Sequence, residues 1–240
     1  MNKKAIFALI MAILLPVVCY YAVKWSSEEA TVMPRRFYMD SVITTTVDGK
    51  TTTDTVWHKT GNITLVNQLG DTVSLYDINN KVVVADFFFT RCPSICPTLT
   101  RNMLKLQQSF SRYNEGRRVI DSSIVQFLSF TVDPERDSVK ALKAYADRYG
   151  IDHDNWWMLT GSKKTIYNFA LDEVKLGLVD GEGVDTSFVH SQKMVLIDKN
   201  HVIRGYYNGL DTLELSQMAR DIALLMLEKD KKVKRNLFRK

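Results

Sequence analysis

Two of the chain's three cysteines, Cys92 and Cys96, sit in the stretch FFFTRCPSICPTLT, each followed directly by a proline. A thiol pair at this spacing can exchange as a dithiol and disulfide, clasp a metal ion, or staple the local backbone. The spacing itself does not choose, because residues four apart on a helical turn share a face and both sulfurs can point one way. Pro97 suits a first helical turn. A thiol at a helix N-terminus meets unsatisfied N–H groups and the positive end of the helix dipole, both of which favour thiolate. Exchange and metal ligation benefit equally.

The elements around the pair narrow the choice. Residues 81–89, KVVVADFFF, are almost continuously apolar, as in a strand buried on both faces, and the cysteines follow it at once. Leu99, Met103, Leu104, Leu106 and Phe110 then recur at helical spacing, so a helix is expected from Pro97. A second buried strand is expected at 123–132, the loop DPERDS follows, and VKALKAYADRYG reads as an amphipathic helix stopped by Gly150. A short strand near 156–159, a helix over KKTIYNFALDEV, two strands in KMVLIDKNHVIRGYYNG and a closing helix complete the domain. This alternation predicts an α/β fold, thioredoxin-like, with a mixed central sheet flanked by helices. Hairpins are expected in front of it, at TTTVDGKTTTDT around Asp48-Gly49 and at NITLVNQLGDTVSLYDI around Gly70-Asp71.

A thioredoxin-type exchanger places a cis-proline opposite the thiol pair, before the first strand of the second half. Cis bonds are essentially a proline phenomenon, and the prolines here are Pro16, Pro34, Pro93, Pro97 and Pro134. None precedes KMVLID; Phe188-Val189-His190-Ser191 stand there instead, so His190 is expected to face Cys92 and Cys96. Two thiolates and one imidazole suit Cu(I), and with a further donor Cu(II). Zinc accepts the set too, although structural zinc wants a fourth protein ligand. His58, His153 and His201 read as ordinary polar or packed histidines, and Met103, Met194, Met218 and Met226 as core. Asp133, Glu135 and Asp137 in DPERD could pair as acid–base carboxylates but read rather as a helix-entry loop with capping and ion pairing, whereas Asp86, inside a buried strand before the cysteines, could tune a thiol, orient a neighbour or satisfy backbone N–H groups.

Of the 240 residues 45% are apolar, enough for a core without disulfide staples. The net charge of +5 is concentrated in residues 229–240, which hold seven basic residues and one acidic one; the remainder is near neutral. That excludes a nucleic-acid-binding face and leaves a basic tail, either a solvated helix end or a contact for anionic lipid or an acidic partner. Residues 5–23 form an uncharged apolar run preceded by Lys3 and Lys4 and followed by Lys24. At 1.5 Å per residue it spans roughly 28 Å, and it lacks the small residues of a cleavage site. The expectation is a single-pass bacterial inner-membrane anchor with the rest in the periplasm. The domains expected are residues 1–25 as anchor, 26–56 as a polar Thr-rich arm, 57–228 as the copper-binding domain and 229–240 as the basic tail.

FFFTRCPSICP, TVDPERDS, YG followed by WWMLTG, and VHSQKMVLIDKNHVIRGYY together resemble the Sco/SenC family of copper-binding, thioredoxin-like proteins that assist cytochrome c oxidase assembly. The resemblance spans about residues 62–227. It implies that Cys92, Cys96 and His190 bind one copper ion and that the acceptor is the binuclear copper site of oxidase subunit II. Many members carry Asp just before the histidine; Val189 stands there in this chain. Copper delivery is the leading expectation. The alternative is a thiol–disulfide reductase in which Cys92 attacks the oxidised acceptor and Cys96 resolves the mixed disulfide.

Overall fold

The computed structural model of the protein describes residues 3–30, 32–47, 50–114, 117–120, 123–176 and 191–228. The chain divides into two compact units, Met1–Met33 and Pro34–Lys240. The first holds helix α1 (Lys3–Ala30). Its described apolar side chains, among them Ile13, Leu14, Leu15, Val17 and Val18, are exposed. Among the described residues no helix is long and apolar enough to cross a membrane. The span expected over residues 5–23 therefore stays a reading of the sequence.

The second unit opens with the hairpin β1 (Met39–Val47) and β2 (Lys50–Trp57). The turn residues Asp48 and Gly49 lie outside the described residues. A short hairpin follows, β3 (Thr64–Val66) with β4 (Thr72–Ser74); Gly70 in its turn has φ +90°, a conformation that costs glycine little. The domain proper is β5 (Val82–Phe88), α2 (Cys96–Ser109), β8 (Val125–Thr131), α3 (Val139–Tyr149), β9 (Trp156–Leu159), α4 (Lys163–Asn168), β10 (Lys193–Ile197), β11 (Ile203–Asn208) and α5 (Thr212–Leu227). A hairpin that the sequence reading did not anticipate, β6 (Ser111–Asn114) and β7 (Arg117–Ile120), is inserted between α2 and β8. Beyond α4 the backbone widens into a π turn at Phe169–Glu173, where a continuous helix was expected.

The five main strands lie in the order β11-β10-β5-β8-β9. β5, β8 and β9 run parallel, whereas β10 is antiparallel to both β5 and β11. The expected mixed sheet is present. Every residue of β5 and of β8 is buried, which is why both read as unbroken apolar runs rather than alternations. The pleat sends Val83, Ala85 and Phe87 into one core layer with Ile166 and Phe169. On the opposite face Phe88 packs on Tyr145 of α3 at 5.4 Å between ring centroids.

Capping fixes α3 at both ends. The Ser138 hydroxyl accepts the Ala141 N–H at 3.4 Å, and Gly150 ends the helix at φ +68°. The start and end of the unit are tied together by the buried Arg204, which donates to Asp198 Oδ2 at 2.9 Å, Glu228 Oε2 at 2.6 Å and the Pro34 carbonyl. Phe130 anchors the layer beneath α4: fully buried, it stacks on Phe87 at 5.1 Å and tilts against Phe169 at 5.3 Å. Phe130→Ala is expected to lower the unfolding free energy by about 3–5 kcal/mol through lost transfer energy and a residual cavity; denaturant unfolding followed by circular dichroism measures it.

Candidate metal and thiol centre

The cysteine pair occupies the turn from a buried strand into a helix. β5 delivers the chain to Phe88 at the carboxyl edge of the sheet, and Cys96 is the first residue of α2, with Pro97 in its first turn. The prolines keep the turn compact, since Pro97 removes an N–H that the helix start would leave unpaired. The Cys92 N–H donates to the Phe89 carbonyl at 3.2 Å, which curls the loop back under the strand end. The Cys96 N–H donates to Cys92 Sγ at 3.4 Å, and the Ser94 hydroxyl lies 3.7 Å from the same sulfur. Both thiols are free and buried, with 6% and 3% of their residue surfaces exposed.

These contacts divide the pair electrostatically. Burial pushes the Cys92 thiol up, but hydrogen bonds from the Cys96 thiol and N–H and from the Ser94 N–H and hydroxyl outweigh it, so the net shift is downward. Cys96 goes the other way, to about 12: burial dominates, helped by its bond to Cys92 and by the nearby charges of Cys92 and Asp86. Cys92 is thus the more acidic of the two thiols, and Cys96 holds its proton more tightly. That suits a nucleophile with a resolving partner. It also suits a metal clasp in which the second thiol gives up its proton only when the ion arrives.

Asp86 lies one layer below, 1% exposed, facing Ser129 across the parallel ladder. Its Oδ1 has no hydrogen-bond partner among the described residues. Burial raises its carboxyl to about 7, with a Ser129 hydrogen bond opposing. Of the roles open from sequence, satisfying backbone N–H groups has no hydrogen bond at Oδ1 to support it among the described residues.

His190 lies outside the described residues, as does the segment 177–190 that contains it. Its chain neighbour Ser191 is buried and lines a cleft with Phe87 and Val132, residues at the carboxyl ends of β5 and β8. Among the described residues no group of three or more His, Cys, Asp and Glu side chains could hold a metal ion, and no cis peptide bond occurs. The other histidines are engaged elsewhere: His58 Nδ1 with Asp40 at 3.0 Å, His153 with Gln68 at 3.0 Å and Asp147 at 3.3 Å, and His201 stacked on Tyr76 at 4.6 Å. Met103, Met194 and Met218 are fully buried, whereas Met226 is 39% exposed at the end of α5, a correction to its reading as core.

The sequence reading missed Thr90, and it took Asp137 with the rest of DPERD as capping and ion pairing. Thr90 and Asp137 are joined by hydrogen bonds, from the Thr90 N–H at 3.0 Å and from its hydroxyl. In DPERD the expected ion pair is present, Arg136 to Asp133 at 3.5 Å, but Asp137 turns inward. No spacing rule distinguishes those two acids.

The sequence profile of the SCO1/SenC family matches residues 51–227. A SCO1 protein homolog of Bacillus subtilis (strain 168) is 36% identical over 160 residues, 66% of this chain and 78% of that protein. BsSco, a member of the Sco family of cytochrome c oxidase assembly proteins in which a disulfide switch has been identified, aligns with a TM-score of 0.57 at 32% identity. The alignment covers 71% of this chain and 95% of that one. Arabidopsis thaliana ScoI with copper bound shares the fold at a TM-score of 0.53 and 22% identity, covering 69% and 99%.

The buried Asp86 makes stability depend on pH. Its carboxyl is protonated in the folded chain up to about 7 but ionises near 3.8 when unfolded, so rising pH over that window favours the unfolded state. Asp86→Asn removes this loss. The unfolding free energy of the variant minus that of the parent is expected to rise from pH 4 to pH 7 and to level off above, as read by denaturant titration across that range.

Proposed function

The chain belongs to the SCO1/SenC family, and on that premise we propose that it binds one copper ion through Cys92, Cys96 and His190 and passes it to the binuclear copper site of cytochrome c oxidase subunit II. The observation that carries this reading is the thiol pair itself: two free sulfurs four residues apart where a buried strand turns into α2, with the Cys96 N–H on the Cys92 sulfur at 3.4 Å. Two thiolates are a soft donor set that selects Cu(I), and an imidazole completes it. For His190 the support is its chain neighbour Ser191, buried beside Phe87 and Val132 at the edge where β5 runs toward the cysteines. For copper it is also the copper-bound ScoI structure, and for the acceptor the Sco family's description as oxidase assembly proteins. Transfer proceeds by ligand exchange, with Cys96 regaining its proton as the ion leaves.

Thiol–disulfide exchange is the second reading, favoured by the opposite displacement of the two thiols. Cys92 thiolate attacks a disulfide of the acceptor, one acceptor sulfur leaves as thiolate, and Cys96 then displaces the other. The chain ends as the disulfide and the acceptor as the dithiol, so two electrons move. The disulfide switch identified in BsSco is in keeping with such chemistry.

Titration of the reduced chain with Cu(I), anaerobically, separates the readings. Delivery predicts one equivalent bound, weakened at least about tenfold in Cys92→Ser, Cys96→Ser and His190→Ala as a ligand is lost. Binding indifferent to His190, with rapid cycling of the thiols against a disulfide, would leave the reductase.

The anchor belongs to the same proposal: α1 holds the chain in a bacterial inner membrane with the thiol domain in the periplasm. Its support is the exposed apolar side chains of α1, with Tyr20 and Tyr21 toward its end. In a fractionated bacterial cell the full chain is expected in the membrane pellet after a carbonate wash, and a chain starting at Ser26 in the soluble fraction.

A further inference from the structure

We infer that Asp137 is a positioning residue for the cysteine pair, clamping the turn that carries Cys92 to the end of β8. The inference rests on the reading of Cys92 and Cys96 as the reactive dithiol.

Asp137 is 1% exposed. Its carboxylate accepts the Thr90 N–H at 3.0 Å, the Thr90 hydroxyl and the Thr131 hydroxyl, and its own N–H donates to the Asp133 carbonyl at 2.9 Å. Thr131 is the last residue of β8, and Thr90 stands between Phe89, whose carbonyl receives the Cys92 N–H, and Cys92 itself. Holding Thr90 by both its N–H and its side chain fixes the start of the cysteine turn against the sheet. The neighbouring strand ends are joined in register by Val132 N–H to the Phe88 carbonyl at 2.9 Å.

Simpler roles are already filled by neighbours. Ser138 caps α3, and Asp133 makes the ion pair with Arg136. Asp137 forms no ion pair among the described residues; its partners are one N–H and two hydroxyls, which occupy three of its acceptor positions. Asparagine in its place would turn an N–H₂ group toward donors. The Thr90 hydroxyl can accept from that group, so what the variant removes is the charge, and bonds to a charged acceptor are the stronger kind.

The test uses the full chain in detergent, reduced and metal-free, with iodoacetamide as probe. Alkylation of Cys92 is followed by peptide mass across pH, and the dithiol potential is read against glutathione. Asp137→Asn and Thr90→Val are expected to change the Cys92 alkylation rate at fixed pH by at least about threefold and to shift the potential in the same sense. Thr90→Ser, which keeps the hydroxyl, should restore the parent rate. Ser138→Ala, a lost helix cap, should lower the melting temperature and leave the rate alone. If Asp137→Asn lowers the melting temperature as Ser138→Ala does while rate, pH profile and potential match the parent, Asp137 is only a staple and the inference fails. Should Asp137→Asn not fold, Thr90→Val decides, and an unchanged rate there overturns the clamp. With no copper in the assay, failure here stays separate from failure of the copper reading.

Discussion

The cysteine turn exists because β5 ends where it does. A parallel strand buried on both faces has no freedom to slide: its register with β8, from Val82 opposite Val125 to Phe88 opposite Thr131, is set by seven buried residues on each strand. That register sets Phe88 opposite Thr131, and one carboxylate, Asp137, holds both Thr131 and the Thr90 that follows the strand end. It also places the start of α2 directly over the strand end, so that Cys96 offers its N–H to the Cys92 sulfur. A slip of one residue would exchange Asp86 with Phe87 between the two faces and move every group at the centre. The packing of Phe87, Phe130 and Phe169 is therefore part of the chemistry, although it lies on the face away from α3.

Two sulfurs of one element type acquire different properties from their surroundings. Cys92 receives hydrogen bonds, and burial cannot offset them; Cys96 receives burial plus the charges of Cys92 and Asp86. The resulting pair has one thiol more acidic than usual and one less so. Both proposed roles, copper delivery and disulfide reduction, draw on this one electrostatic arrangement.

How much of this was legible beforehand varies with the range of the interaction. The strands at 81–89 and 123–132 were readable because burial on both faces writes itself as a continuous apolar run, and α3 because Ser138 and Gly150 mark its ends. The β1–β2 hairpin was readable from its turn pair and β-branched flanks. The hairpin β6–β7 carried no such alternation, and the π turn at Phe169–Glu173 was hidden inside an ordinary helical pattern. Cys92 and Cys96 were found at once, since few residue pairs do chemistry at that spacing after a buried strand. Thr90 was not, and Asp137 was read only as one of three acids in a charged loop, because neither is distinctive until its partner is known.

By itself, the sequence determined the classes of residue available to the centre, the α/β alternation that presents them, and the concentration of charge in residues 229–240. Each is a local property, carried by neighbours within a few positions. The tertiary structure decided which acid turns inward, which thiol is displaced downward and which upward, and that Asp86 has an oxygen without a partner among the described residues. The inward turn of Asp137 depends on contacts tens of positions away, such as Thr90, and the thiol shifts depend on burial by the packed domain as well as on near neighbours. Burial and hydrogen bonding act through space, and spacing along the chain does not encode them.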